Sequence, residues 1–129
     1  MQHEMYSEIL GHQLKGIMLH SDIYAVAALN GYSRIKWCNC FQLRAELDTH
    51  IRTVHKAIDE LEEIVEPKQE DRIKVPHTAT PSQLLDMWEN WERETVELYA
   101  KAMAVDDCRM WRKLYKDAQH ELKAIENMV

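Results

Sequence analysis

Asp59 and Glu63, near the middle of the chain, have the spacing of a metal-binding pair. They are four residues apart, so on a helix their carboxylates lie one turn apart on the same face. Carboxylate oxygens are good ligands for hard divalent cations. The alternative is a solvated helix face, because Arg52 and Lys56 are close in sequence and also fall on the polar side. We therefore expect either a cation site or a salt-bridged surface at this place.

A second set of residues could bind metal inside a helical bundle. Di-iron carboxylate proteins of this kind use a Glu from each of two helices and a Glu-x-x-His pair from each of the other two. The nearest motif here is Asp117 followed by His120, but His120 falls on the polar face of its helix. A rearranged site would use these candidate ligands: His20, His50, Glu94 and Asp117. The alternative is that the histidines are ordinary residues at the edge of the core.

Trp37 and the cysteines beside it form the third candidate site. Trp37 is an apolar residue in a predicted surface connection, and Trp is enriched at binding hot spots. It would then anchor a partner, or alternatively cover the end of the bundle. Cys38, Cys40 and Cys108 are an odd number of cysteines without zinc-type pairing, so we expect free thiols in a reducing compartment. A redox role for Cys38 and Cys40 stays open.

The elements that must position these residues are helices. Apolar residues at alternating steps of four and three predict a helix from about Phe41 to about Val65, and they are Leu43, Leu47, Ile51, Val54, Ile58, Leu61 and Val65. Asn39 is the expected cap of this helix. The same periodicity predicts a first helix from about Glu4 to Asn30, followed by Gly31 as a natural stop.

The second half of the chain has the pattern of a helical hairpin. Thr80, Pro81 and Gln83 form a strong helix start, with a cap, a first-turn proline and a capping-box partner. Trp88 and Trp91 are expected in the core of this third helix. Asp106 or Asp107 is expected to cap a fourth helix, whose apolar stripe is Trp111, Leu114, Tyr115, Ala118, Leu122 and Ile125. The turn between them is short, so the two helices should be antiparallel.

The segment of about residues 67–80 separates the two halves. It is polar and holds two of the three prolines, and it exceeds the roughly 2 to 8 residues that usually join neighbouring helices of a bundle. About 14 extended residues can reach about 46 Å, which is longer than a helix of about 37 Å. We therefore predict an all-α, ferritin-like four-helix bundle with two antiparallel hairpins and a long crossover. Residues 1–129 would form this single domain.

Composition and charge restrict the class of function. The chain has 129 residues, 46% of them hydrophobic and 29% charged, which is typical of a globular domain. The net charge of −6 and the lack of a basic tail argue against a nucleic-acid partner. No signal peptide or membrane-spanning segment is evident, so we expect a cytoplasmic protein without a membrane partner.

Residues 30–64 resemble a known family. The segment reads NGYSRIKWCNCFQLRAELDTHIRTVHKAIDELEEI, and it is similar without a gap to the ferritin-like proteins called Dps (DNA-binding protein from starved cells). The matching features are Asn30, Lys36, the triplet Phe41-Gln42-Leu43, the pair Asp59-Glu60, and Glu63. The resemblance implies a ferritin-like fold and a homodimer or a higher homo-oligomer. It also implies binding of iron or another divalent metal.

The resemblance further implies where a ferroxidase site would lie. In the family, two histidines of one subunit meet a carboxylate pair of its dimer mate. Asp59 and Glu63 match the carboxylates, whereas the histidine positions fall on Tyr32 and Arg44. The leading hypothesis is therefore a Dps-like protein without the usual ferroxidase histidines, acting as a weak metal binder or as a self-associating structural protein. The alternatives are a di-iron oxidoreductase with rearranged ligands, consuming iron(II) or peroxide, and a helical adaptor that uses Trp37.

Overall fold

Four helices account for all regular secondary structure in the part of the chain that is described. In a computed structural model, residues 2–32 and 37–128 are described, with only the backbone of residues 37–41. The helices are α1 (Gln2–Asn30), α2 (Trp37–Glu60), α3 (Pro81–Val105) and α4 (Arg109–Glu126). The described residues contain no strand, so the predicted all-α class is confirmed. None of the helices in this part of the chain is long and apolar enough to span a membrane.

The chain divides into two compact units. Residues 3–79 form the first unit, with α1 and α2, and residues 1–2 and 80–129 form the second, with α3 and α4. The predicted division into two helical halves at the crossover corresponds to this boundary. The single-domain assignment stays a prediction.

Helix α1 ends as its sequence predicts. Gly31 has a φ of 66°, in the left-handed region where glycine is favoured. The Tyr32 amide donates to the Ala27 carbonyl over 3.0 Å, and the Gly31 amide donates to the Ala28 carbonyl over 3.2 Å. These two bonds form a Schellman motif that satisfies the last carbonyls of the helix.

Helix α2 differs from the prediction at both ends. It begins at Trp37, so Asn39 lies inside the helix and the prediction that it is the cap is wrong. It ends at Glu60, and not near Val65, because Glu62 adopts a left-handed φ of 55°. The Leu61 and Glu62 amides close this turn on the carbonyls of Ile58 and Asp59. The early end lets the following chain turn back onto α1.

The crossover follows α1 from one end to the other. Residues 61–80 are all described and contain no helix; we call residues 66–79 the strap. Near the start of α1, the Ser7 hydroxyl donates to the Glu66 carbonyl (2.7 Å) and the Lys68 amide donates to the Ser7 carbonyl (2.9 Å). At the other end, the Asn30 side-chain amide donates to the His77 carbonyl (2.9 Å). The predicted end-to-end crossing is therefore seen within the first unit.

The helices of the first unit are antiparallel. His3, at the start of α1, lies 3.7 Å from Glu63, just beyond the end of α2. His20, in the second half of α1, has its pKa lowered in part by the charge of Arg44, in the first half of α2. Both helices supply large apolar residues to the core of this unit, which includes Ile9, Leu19, Ile23, Leu43, Leu47, Val54 and Ile58. Helix α1 has buried residues on more than one side, and the strap lies against one of these sides at Ser7 and Gly11.

Helices α3 and α4 form an antiparallel hairpin in the second unit. The rings of Tyr99 and Trp111 are 6.1 Å apart near the turn, and the Arg93 guanidinium lies 3.6 Å from Glu126 at the far end. The expected Thr80 capping box is present: the Thr80 hydroxyl accepts from the Gln83 amide, and the Gln83 side chain accepts from the Thr80 amide. Trp88, Trp91 and Trp111 are fully buried, as predicted.

The start of α4 contradicts the sequence prediction. Asp106 terminates α3, and the cap of α4 is Cys108, which makes no side-chain capping hydrogen bond. Asp107 instead lies 3.5 Å from Arg112 on the exposed surface. The cap of α4 therefore lies one or two residues later than expected and is a cysteine, not an aspartate.

Candidate functional site

Asp59 and Glu63 do not share a helix face. Asp59 is exposed in the last turn of α2, while Glu63 is exposed beyond its end. Because the left-handed turn at Glu62 separates them, the predicted spacing of one helical turn is wrong. Glu63 lies near His3, with 3.7 Å between Oε2 and Nδ1. Binding of a cation by Asp59 and Glu63 stays a prediction, but it now requires a loop carboxylate.

Tyr32 and Arg44, which the resemblance to Dps aligns with two ferroxidase histidines, both make contacts within the first unit. The Tyr32 hydroxyl donates to the Ala79 carbonyl over 2.8 Å and so ties the end of α1 to the end of the strap. The Arg44 Nε donates to the Asp48 carboxylate over 3.2 Å, one turn along α2. A guanidinium has no lone pair to offer a metal. Neither position therefore supplies a ligand of the histidine kind.

His20 and His50 are buried in the first unit, one on α1 and one on α2. Burial, and to a smaller extent the positive charge of Arg44, lower the pKa of His20 to about 3. The imidazole is thus neutral at physiological pH and keeps a lone pair for a hydrogen bond or a metal. The positive charge of the Arg44 guanidinium would repel a metal cation bound to His20, and so it disfavours metal binding there.

The carboxylates predicted for an internal site belong to the second unit. Glu94 is exposed, and Asp117 is half-buried with its Oδ2 3.4 Å from the Lys113 Nζ. The buried carboxylates of the second unit are Glu92 and Glu121, with 2% and 7% exposure. Helix register could have identified them: Glu92 continues the steps of four and three from Trp88 to Tyr99, and Glu121 continues those from Leu114 to Ile125. Leu122, which is predicted in the apolar stripe of α4, is only half-buried.

The Trp37 hypothesis lies largely outside the described residues. Trp37 is the first residue of α2, but its side chain and those of Cys38 and Cys40 are not among those described. Its role as a partner anchor, and a redox role for Cys38 and Cys40, stay predictions. Cys108 is a half-buried free thiol, in accord with the expectation for that residue.

Among the described side chains, which are those of residues 2–32 and 42–128, no group of three or more from His, Cys, Asp and Glu is arranged to hold a metal ion. The buried histidines of the first unit are His12, His20 and His50, and the buried carboxylates of the second are Glu92 and Glu121. Each of these five side chains has an interaction of its own within the protein.

An uncharged surface runs along α1 in the first unit. We call it the α1 stripe, and its residues are Leu14, Met18, Ser21, Ala25, Ala28 and Leu29, all of them exposed. Leu29 exposes 71% of its surface and Leu14 45%. A groove beside it is lined by Leu14, Met18 and the first residues of the strap, Glu66–Arg72. An apolar surface of this kind is typical of a protein contact.

No protein-family model, curated protein or solved structure matches this chain.

Proposed function

We propose that this protein is a ferritin-like, Dps-like four-helix bundle that works through self-association and lacks the usual ferroxidase centre. The observation that carries the proposal is what Tyr32 and Arg44 contact, since these two residues stand at the family's histidine positions. Tyr32 donates a hydrogen bond to the strap and Arg44 pairs with Asp48, so both positions stabilise the fold and neither offers a metal ligand. The helix order and the long crossover along α1 support the ferritin-like part.

The α1 stripe supports the self-associating part of the proposal. A protein with a net charge of −6 repels its own copies at long range, so a stable contact needs a region without unbalanced charge. From Leu14 to Leu29 the charged residues of α1 are Lys15 and Asp22, and the strap pairs with both. The exposed residues between them are uncharged.

The test combines molar mass with metal content. We would purify the protein under mild conditions, then measure its molar mass by light scattering and its bound transition metals by mass spectrometry. The proposal predicts a dimer or a higher oligomer with far less than one metal ion per chain. A monomer at every concentration would refute self-association. About two tightly bound transition-metal ions per dimer would refute the loss of the metal centre.

A di-iron oxidoreductase is the second candidate function. It is favoured by the neutral, buried His20 and the buried His50, which are competent ligands. It predicts rapid oxidation of iron(II) by oxygen or peroxide, abolished in His50→Ala and retained in His120→Ala, where the histidine is exposed. Oxidation no faster than in a protein-free control would exclude it. The positive charge of Arg44 beside His20 argues against this candidate.

A further inference from the structure

The strap carries its charges in an order that suits an antiparallel partner. Its central segment reads Glu70, Asp71, Arg72, Ile73 and Lys74, with two acids followed by two bases, and all four charged residues are exposed. In an antiparallel copy the order is reversed, so Asp71 of one strap can lie opposite Lys74 of the other. A parallel copy would place like charges together, which is unfavourable.

Two of these charges have no ion pair within the described chain. Glu70 lies 3.4 Å from Lys15, and Arg72 donates two hydrogen bonds to Asp22, of 2.6 and 3.0 Å. Asp71 and Lys74, by contrast, form no salt bridge among the described residues. An antiparallel strap related by a two-fold axis between Arg72 and Ile73 would place Asp71 opposite Lys74, and the same pair would occur a second time by symmetry.

The same axis also suits the α1 stripe. The Asp22–Arg72 pair fixes the centre of the strap beside Asp22. Asp22 is close to the middle of the stripe, which extends about 22 Å from Leu14 to Leu29 at 1.5 Å per residue. A two-fold axis at this level sets Leu14 opposite Leu29 and Met18 opposite Ala25. The small residues near the axis, Ser21 and Ala25, allow two helices to approach closely.

We propose that the α1 stripe and the strap form a two-fold, antiparallel interface with a second copy of this chain. The inference rests on the proposed self-association and specifies the surface that carries it. Stripe and strap lie side by side on the first unit, since Lys15 and Asp22 at the edge of the stripe hold the strap. The α1 stripe and the strap are each self-complementary about this one axis, so the partner that binds them is a second copy of this chain. A single helix stripe and one strap form a small contact, so the dimer dissociates on dilution.

The first test uses Met18→Asp, with Ile64→Asp as the matched control. Met18 lies in the stripe, whereas Ile64 is an exposed apolar residue outside it. Sedimentation velocity of the full chain is expected to show dimers for the wild type and for Ile64→Asp, and monomers for Met18→Asp, because the variant would bury an unpaired carboxylate. Circular dichroism checks that each variant is folded. Dimerisation of folded Met18→Asp at the wild-type affinity would overturn the inference.

The second test exchanges the strap charges. Asp71→Lys and Lys74→Asp each place like charges opposite one another, and each should weaken the dimer by roughly tenfold or more. The double variant restores opposite charges across the axis and should recover most of the affinity. Additive weakening in the double variant would overturn the antiparallel register. A wild-type dimer insensitive to all these changes would leave self-association standing and refute this interface; a wild-type monomer would refute both.

Discussion

Gly11 is the residue on which the path of the strap depends. It lies on the side of α1 that the strap crosses, and a Cβ added there would collide with the Lys68 carbonyl oxygen. The strap cannot move away easily at this point, because Ser7 binds it on one side and the Lys15–Glu70 pair on the other. The glycine thus permits a close approach of two backbones.

We expect Gly11→Ala to destabilise the protein, although alanine is the better helix former. The gain in helix propensity is about 1 kcal/mol, whereas overpacking against a fixed backbone costs about 1 to 3 kcal/mol. Urea unfolding followed by circular dichroism measures the balance. Ser21→Ala, at an exposed position of the same helix, is the control and should be neutral or slightly stabilising. A Gly11→Ala variant more stable than the wild type would show that the strap does not lie here.

His20 makes the stability of the first unit depend on pH. Its pKa is about 3 in the folded protein and near 6.5 in the unfolded chain, so the unfolded state binds the proton more tightly. Stability is therefore full above about pH 6.5 and is lost as the pH falls towards 3. The loss amounts to at most about 1.4 kcal/mol per pH unit from this group.

We expect His20→Leu to flatten the acid limb of the stability curve. The measurement is the free energy of unfolding at several pH values between 7 and 4, compared with the wild type. His120→Leu removes an exposed histidine and should leave the limb almost unchanged. If His20→Leu and the wild type lose stability in parallel as the pH falls, the histidine is not held neutral in the core.

At the scale of single elements, the two helix starts of the second unit differ. Thr80 caps α3 with a reciprocal capping box, while Cys108 caps α4 without any side-chain hydrogen bond. The backbone of Cys108 already has the extended conformation of a cap, with φ −127° and ψ 165°. A hydroxyl at this position could reach the amides of the first turn.

We predict that Cys108→Ser stabilises the protein by about 0.5 to 1 kcal/mol, and that Thr80→Ala destabilises it by about 1 kcal/mol. Thermal unfolding of the two variants beside the wild type measures both effects. Cys108→Ala serves as the control for loss of the thiol, and it should not reproduce the gain. Equal stability of the Ser and Ala variants would contradict the capping explanation.

The elements also show what a sequence can predict. Helix existence, the Thr80 capping box, the end of α1 at Gly31 and the buried tryptophans follow from periodicity and local hydrogen bonding, which act within a few residues. The end of α2 does not follow from these local patterns. Val65 continues the apolar pattern, but the strap contacts at Ser7 require the chain to leave the helix at Glu60. That constraint comes from tertiary contacts between residues far apart in the sequence, which a local pattern does not contain.

The predicted helical spacing of Asp59 and Glu63 failed for a similar reason. Asp59 and Glu63 matched a pattern that assumes an unbroken helix, and a long-range contact broke it. Glu92 and Glu121 are not among the predicted site residues, although the register of their helices places both in the buried stripe. Tyr32 and Arg44 stand where the resemblance to Dps expects histidines, but only the structure shows what they contact.

At the scale of the whole molecule, an interface between copies links stability to concentration. Anything that binds only the folded state raises its apparent stability, and a second copy does so by mass action. We therefore expect the unfolding temperature of the wild type to rise with protein concentration. Met18→Asp should show a constant unfolding temperature over the same range, and a concentration dependence as steep as that of the wild type would argue for a different contact surface.

The most direct measurement is the molar mass of the purified wild-type chain by sedimentation equilibrium over a wide range of concentration. We predict a reversible shift from the 15.3 kDa chain to a species of twice that mass. The shift should occur without added metal, since the contact is formed by the α1 stripe and the strap. A wild-type chain that stays at its monomer mass at the highest concentration, or that dimerises only when iron is added, would contradict the proposed function.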